Sequence, residues 1–547
     1  MTIAWLDGTK STLNNNLQQV AEPFMRILGQ TPYDPVVYHN LGEALIKAGL
    51  LAEAETCLRR AIALNPEYFE AYCNLASVLN DIEKFAEAET CLRRAIILNP
   101  SYITAYNYLG LVLNNAQRFD EAIACFSRAI ELNPDYSEAY NNLGSVLNGT
   151  NRLDEAQACF LRAVELAPFD PDAYNNLGIV QTTLHLLDEA EVCFRRVLAL
   201  SPNNPIAYHN LGIVLQDTKR LDEAEACLLK AIELKGDYLE AECALGMLYL
   251  LQGRYNEGWK RYVYRYKLYG YVPQEIPRWQ GEAVKGQKIL LFQEQGFGDT
   301  IQAFRFAEKV SALASQTTLW VKEPLARLLS SSQSQVIIHC GDSITGDFDV
   351  TSTLLNLPYI FNTSEATIPS DVPYIWPSKA VSAKWRATLD KIDHGQIYRI
   401  GVVWAGNSGH VNDRNRSIPF DLFSKLFDIA HVSWVSLQVG IRAGDLIRTP
   451  HKVIDFSPEL VDFSETAGVI DHLDLVIAVD TAVAHLAGAM GKKTWLLLPF
   501  SPDWRWQLDR EESTWYPTMR LFRQTKCGDW EEVMTRVIKT LQQQVFT

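Results

Sequence analysis

The sequence predicts an α-helical superhelix followed by an α/β region of two Rossmann-like lobes, and three observations carry that prediction. Tyr38, Tyr72, Tyr106, Tyr140, Tyr174 and Tyr208 recur 34 residues apart without a slip. The register stops near residue 270. From about residue 286 the pattern becomes short apolar runs separated by turn residues and amphipathic helices, as in alternating strands and helices.

In the first half, Gly42, Ala76, Gly110, Gly144, Gly178, Gly212 and Gly246 keep the same period, each after a leucine. Pro66, Pro100, Pro134, Pro168 and Pro202 close successive units. The small residue lets two helices approach, the tyrosine is expected to fill the gap beside it, and proline stops the second helix. Asp120, Asp154, Asp188 and Asp222 recur at the start of the second helix, where an acid can cap it and meets the positive end of its dipole. This pattern resembles the tetratricopeptide repeat, a helix–turn–helix unit. Full repeats are read from about 35 to 238, then a degenerate one whose second helix is GRYNEGWKRYVYRYKL (253–268); residues 11–30 read as a lone capping helix. Each unit leaves an apolar face that its neighbour must cover, so one continuous array is expected. The expected domains are 1–34 (cap), 35–272 (tetratricopeptide array, about seven repeats), 273–397 (first lobe) and 398–547 (second lobe).

The sixth residue of successive units is Asn40, Asn74, Tyr108, Asn142, Asn176, Asn210 and Ala244. In this repeat the position belongs to the first helix, which lines the concave groove. An asparagine amide both donates and accepts, so a row of them can grip the backbone of an extended peptide whatever its sequence. The repeats of eukaryotic O-linked N-acetylglucosamine transferases carry such a ladder, and AYCNLASVLN (71–80) resembles it. The plainer alternative is that these amides satisfy backbone groups between neighbouring helices, and Tyr108 breaks the row.

The net charge is −15. Residues 1–270 hold 34 acidic and 23 basic side chains, against 31 and 27 in the remainder. An acidic array repels phosphate backbones, which makes nucleic acid a poor partner. Cys57, Cys91, Cys125, Cys159, Cys193 and Cys227 share one repeat position without CxxC metal spacing, which reads as cysteine used as a small hydrophobe in a reducing compartment. No basic segment followed by an apolar run opens the sequence, and no stretch approaches the length of a membrane span, so a cytoplasmic location is expected.

In the second half, KILLFQE (288–294), TTLWVKE (317–323) and QVIIHC (335–340) read as buried parallel strands of one lobe. YRIGVVWAG (398–406), SWVSLQV (433–439), LDLVIAVD (473–480) and KTWLLLP (493–499) read as those of another. The helix at 529–545 can pack on either lobe. Three motifs carry chemistry. In QEQGFGDT (293–300), Gly296 and Gly298 permit a tight loop and Asp299 stands at a helix N-terminus; a plain helix cap is the alternative. In AVDTAVAHLAGAMG (478–491), Asp480 ends a strand, Thr481 and the following amides open a helix suited to a diphosphate, and His485 lies one turn along. In WAGNSGHVNDRNRSIP (404–419), a small-residue turn with Asn407 precedes Arg414 and Arg416, whose guanidinium forks suit a pyrophosphate leaving group; solvated loop charges are the alternative. Asp474, in DHLD (471–474), lacks a metal-site context and reads as a capping or packing residue.

Together these motifs resemble glycosyltransferase family 9, the bacterial heptosyltransferases, and more closely bacterial proteins that fuse such a GT-B domain to tetratricopeptide repeats. The likeness spans about 286–525. It implies that Asp299 is the general base, that Asp480, Thr481 and His485 bind the nucleotide-sugar, that Arg414 or Arg416 contacts its phosphates, and that Gln438 lies at its ribose or base. Ala482 replaces the glycine usual in the motif and arginine the usual lysine, so the donor need not be an ADP-heptose. Trp504, Arg505 and Trp506 contact sugar or acceptor, or pack as aromatics. The resemblance implies a GT-B glycosyltransferase, inverting, needing no metal or other cofactor, that moves a sugar to a protein docked by the repeat arm. Flagellin or another surface protein is the acceptor the resemblance implies. Two further readings stand beside it: a repeat scaffold with a vestigial or sugar-nucleotide-sensing lobe, and a transferase acting on a surface polysaccharide or lipid-linked acceptor.

Overall fold

The computed structural model describes residues 22–24, 26–27, 29–270, 275–332, 335–341, 344, 346–392, 398–410 and 412–545. Most of the capping helix expected at 11–30 lies outside them. The chain forms two compact units, 1–202 and 203–547. The expected break at 272/273 is therefore not where the units part, because the helices from Pro205 to Tyr269 belong to the second.

The first unit is built of helix pairs, Pro35–Lys47 with Leu51–Leu64 and so on to Pro171–Thr183 with Leu187–Leu200. The periodic small residue does its work against a residue 16 positions later. A Cβ on Gly110, Gly144 or Gly178 would come within 2.8 Å of Phe126, Phe160 or Phe194. The gap is thus filled from the second helix and not, as the sequence had suggested, by the tyrosine. The tyrosines instead tie the repeat ends: the hydroxyls of Tyr72 and Tyr106 donate to the carbonyls of Pro66 and Pro100 at 3.4 and 3.2 Å. In these repeats the tyrosine and the proline act as one device.

Another correction concerns capping. The second helices begin at Phe119, Leu153 and Leu187, so Asp120, Asp154 and Asp188 lie inside the first turn and act on the dipole only. The side-chain caps are on first helices, where Asp34 and Asp170 each precede a proline and accept a backbone N–H. Between the helices of each pair one residue is left-handed: Gly49, Glu83, Gln117, Asn151 and His185 have φ of 60° to 73°.

In the second unit, among the described residues, ten parallel strands form two sheets. The first has the order β3-β2-β1-β4, with β1 Lys288–Phe292, β2 Gln316–Trp320, β3 Ile337–His339 and β4 Val350–Thr353. The second has the order β10-β9-β8-β5-β6-β7, with β5 Tyr398–Val403, β6 Val432–Ser436, β7 Val453–Asp455, β8 Leu475–Val479, β9 Thr494–Leu498 and β10 Met519–Arg523. Counted from its own first strand the second sheet runs 3-2-1-4-5-6, the doubly wound order. Strands β4, β7 and β10 are additions to the seven expected. The helix Lys379–Ile392 packs on Phe463–Ile470 of the second lobe, with Trp385 donating to Glu465 at 2.6 Å. The C-terminal helix Trp530–Val545 buries Trp530, Val533, Val537 and Leu541 against the second sheet. Asp474 accepts the Arg399 N–H at 2.8 Å and pins the start of β5.

Candidate active site at two switch points

Strand order reverses between β1 and β4 in one sheet and between β5 and β8 in the other. Ligands of open α/β sheets sit at the carboxyl ends of strands flanking such a reversal. The motif residues after β1, β5 and β8 lie there, and the structure brings most of them together.

After β1, Gln295 takes a left-handed φ of 56° and the helix Phe297–Ser311 begins. Asp299 accepts the Gly296 N–H at 2.8 Å, closing a cap. Its other oxygen meets the guanidinium of Arg505. Gly296 is extended, so the turn draws on Gln295 and not on glycine freedom. Gly298 is needed for another reason: a Cβ there would lie 2.8 Å from His485 Cδ2.

After β8, Thr481 is the N-cap of the helix Ala482–Ala489, and its buried hydroxyl lacks a hydrogen-bond partner. The Asp480 carboxylate accepts the indole N–H of Trp506 at 2.8 Å. Burial, reinforced by the charge of Asp503, raises the Asp480 pKa to about 6. His485 is buried, with Nδ1 2.9 Å from the Tyr516 hydroxyl, Nε2 3.8 Å from Asp480 and its ring tilted on Trp506 at 5.2 Å. Burial, then Arg505, Arg305 and Arg416, push its pKa well below the usual range, so the ring is neutral. It packs between the two lobes, against Gly298, Trp506 and Tyr516.

After β5, Arg416 donates to the Asp480 carbonyl at 3.1 Å, and its buried Nε has no hydrogen-bond partner. Gly406 leaves room for it, since a Cβ there would lie 2.6 Å from Arg416 Nη2. Arg414 is exposed. Asn407 shapes the loop, accepting the Gly409 N–H at 3.0 Å. Gln438 is buried and its amide oxygen accepts the N–H groups of Trp404 and Ala405 at 3.2 and 3.0 Å. That occupancy makes Gln438 a brace for the β5 loop.

Arg505 joins the lobes. It pairs with Asp299 and Gln302 from the first lobe and with Asp503 at 2.8 Å. Burial works against its charge, yet Asp503 and Asp299 raise its pKa above the arginine range. The sequence offered Trp504, Arg505 and Trp506 as contact or packing residues; Trp504 is packing, 5.2 Å from Trp259 and 6.0 Å from Trp515. The signal for Arg505 was its place between two tryptophans that had to be buried. Among the described residues no group of His, Cys, Asp and Glu is arranged to hold a metal ion.

The groove asparagines are interlocked. Asn142 donates to Asn107 and Asn176 to Asn141, both at 3.0 Å, and the Asn74 amide nitrogen lies 2.9 Å from His39 Nε2. Asn107 Nδ2 itself donates to Glu138 at 3.0 Å, which fixes its oxygen as the acceptor for Asn142. Asn40 lies beside His39 Nδ1 and Asn210 beside His209 Nδ1, both at 3.2 Å. For Asn74, Asn142 and Asn176 the partner is a side chain one repeat back, and for Asn40 and Asn210 it is the adjacent histidine; these are not the backbone groups of the plainer alternative. Tyr108 is half-buried.

Among the described residues no helix is long and apolar enough to cross a membrane. All ten cysteines are free thiols; burial pushes Cys57 up to about 12, as befits packing.

Family models described as tetratricopeptide repeat match residues 39–103, 101–168, 135–203 and 193–226. Protein FlbA of Caulobacter vibrioides is 27% identical over 334 residues, a match covering 56% of this chain and 55% of FlbA, so the chain spans about half the length of that curated relative. The crystal structure of YrrB, a TPR protein with an unusual peptide-binding site, is 28% identical, covers 34% of this chain and 95% of its own, and has a TM-score of 0.29. A solved structure of PilF from Pseudomonas aeruginosa is 20% identical, covers 39% of this chain and 97% of its own, and has a TM-score of 0.35. From residue 39 to 226 the chain therefore carries tetratricopeptide repeats, units suited to binding other proteins.

Proposed function

We propose that the second unit is a GT-B glycosyltransferase centre that moves a sugar from a nucleotide-sugar to a hydroxyl of a protein held by the repeats. The observation that carries this reading is the convergence of Asp299, from one switch point, with Asp480, Thr481, His485 and Arg416, from the other. The donor diphosphate fits the N-terminus of Ala482–Ala489, where Thr481 Oγ1 and Arg416 Nε lack hydrogen-bond partners, Arg416 Nε standing 3.6 Å from the Asp413 carboxylate that holds the guanidinium in place. Asp299 takes the proton of the acceptor hydroxyl as its oxygen bonds the anomeric carbon and the bond to the diphosphate breaks, which inverts that carbon. Two of the four lone-pair sites of Asp299 are engaged, and the remaining ones serve the acceptor. Arg416 and the helix N-terminus neutralise the departing diphosphate, so the reading assigns no role to a metal. In the groove, Asn142 and Asn176 spend an amide donor on the preceding repeat and keep oxygens for peptide N–H groups.

Calorimetry with UDP-, GDP-, ADP-, CMP- and dTDP-sugars tests the donor site: one class binds, and Arg416→Ala weakens it by roughly tenfold or more. Asp299→Asn abolishes turnover with donor affinity retained, and EDTA leaves wild-type turnover unchanged. Full turnover in Asp299→Asn overturns the mechanism. The engagement of both Asp299 oxygens favours a second reading, a repeat scaffold whose lobe senses nucleotide-sugars. It requires donor binding without turnover on any acceptor.

A further inference from the structure

The last repeat is built into the wall of the site. Arg265 and Glu294 form an ion pair at 2.5 Å with both side chains almost wholly buried. Arg265 also donates to the Tyr262 carbonyl at 2.8 Å and to Asn356 at 2.9 Å, while Glu294 accepts the Leu355 N–H at 3.1 Å. The next residue after Glu294 is Gln295, whose left-handed backbone turns the chain toward Asp299. A side chain other than glycine holds that conformation only where its surroundings fix it. Tyr262 supplies the second fixture: its hydroxyl donates to Gln295 Oε1 at 3.3 Å. Its ring lies under the Arg265 guanidinium at 4.4 Å and 6.0 Å from Trp504, the neighbour of Arg505. Both partners of the Asp299–Arg505 pair are therefore approached from one short stretch of the final repeat.

We propose that Tyr262 and Arg265 are positioning residues that hold the Glu294–Gly296 turn and so aim Asp299. The inference rests on the reading of Asp299 as the proton acceptor only for its effect on turnover; the effect on the turn stands apart from it. It also makes the end of the repeat array part of the catalytic framework.

The test compares full-length wild type, Tyr262→Phe, Arg265→Lys and Arg265→Met by amide hydrogen exchange, nucleotide-sugar calorimetry and turnover. Exchange in 294–299 is expected to quicken about tenfold in Arg265→Met and about threefold in Tyr262→Phe, with Leu290, Leu291 and residues 475–489 unchanged. Turnover falls about tenfold while donor affinity stays within about twofold, and Arg265→Lys restores part of the loss. Should Arg265→Met not fold, because it strands the Glu294 charge, Tyr262→Phe and Arg265→Lys decide the matter. Unchanged exchange at 294–299, or equal acceleration of β1, overturns the proposal. If wild type binds no nucleotide-sugar the transferase reading fails, and the exchange result still decides the positioning role.

Discussion

Gly298 and His485 touch across the two lobes: an added Cβ on the first would lie 2.8 Å from Cδ2 of the second and 3.5 Å from Ala482 Cα. His485 has nowhere to retreat, since Tyr516 and Trp506 hold its other edges. Gly298→Ala should cost about 1–3 kcal/mol, the range for overpacking a tight contact. Of the 13 tryptophans only Trp5 precedes residue 203, so tryptophan fluorescence reports the second unit. The fluorescence-detected melting temperature should fall in this variant. No change would mean the helices part freely.

The Asp480 carboxyl should make the second unit pH-sensitive. Its ordinary pKa of 3.8 is raised to about 6 on folding, first by burial and then by Asp503. The folded state holds this proton more tightly, so the contribution to stability is full below about pH 4 and is lost as pH rises through about 6. The total is up to about 3 kcal/mol, from roughly two pKa units at 1.36 kcal/mol each. Asp480→Asn lacks the titration. Its fluorescence melt should approach that of wild type near pH 4 and lie above it beyond pH 6; parallel profiles would exclude the shift.

How much of this was legible follows from what each residue must satisfy. The repeat was plain because a period of 34 imposes columns, and the motif aspartates because they end strong apolar strands. Three strands were not. In β4, VTST reads as polar, and its Thr351 hydroxyl finds a partner only in the fold, on the Leu290 carbonyl at 2.9 Å. In β10, MRLFR alternates charge with apolar residues at the sheet edge, inside a segment read for its tryptophans. In β7 there are three residues.

Site residues were hardest to read where their surroundings come from residues distant in sequence. Gln438 looked like a ribose contact at a strand end, and it is claimed by Trp404 and Ala405, more than thirty positions away. Gly298 looked like a turn glycine, and it answers to His485. Conversely, the left-handed residue between paired helices was signalled only by Gly49 and Gly253, since Glu83, Gln117, Asn151, His185 and Lys219 hide it.

That last column offers a stability test. Gln117 sits at φ 60° in the position where a helix ends most easily on glycine. Gln117→Gly should stabilise the first unit by about 1 kcal/mol, the strain relieved exceeding the chain entropy lost. Helical circular dichroism should shift to higher urea with tryptophan fluorescence unmoved. A loss of stability would show the position unstrained.

Asn107 is the knot of the groove, fully buried, donating to Glu138 and accepting from Asn142. Asn107→Ala removes both bonds, from a half-buried Asn142 and an exposed Glu138, and should cost about 0.5–1.5 kcal/mol, the net worth of a hydrogen bond. The effect should again appear in circular dichroism and leave fluorescence in place. A cost below about 0.5 kcal/mol would mean that water replaces the amide without loss.

The pairing of small and large residues across each repeat can be exchanged. Gly144 faces Phe160, whose ring a Cβ would meet at 2.8 Å. One repeat departs from glycine at this place: Ala76 stands there, and the residue 16 positions later is Leu92, fully buried. A branched aliphatic chain can draw back from a methyl group where a flat ring cannot. Gly144→Ala alone should therefore lose about 1–3 kcal/mol, and Phe160→Leu alone about 1–2 kcal/mol through the space it leaves. Combined, each change relieves the fault of the other, and the double variant should recover at least 1 kcal/mol relative to the sum of the single costs, a coupling read from a double-mutant cycle in urea. Strict additivity would mean that the two helices adjust their spacing independently, and that the column of small residues is not set by the side chain it faces.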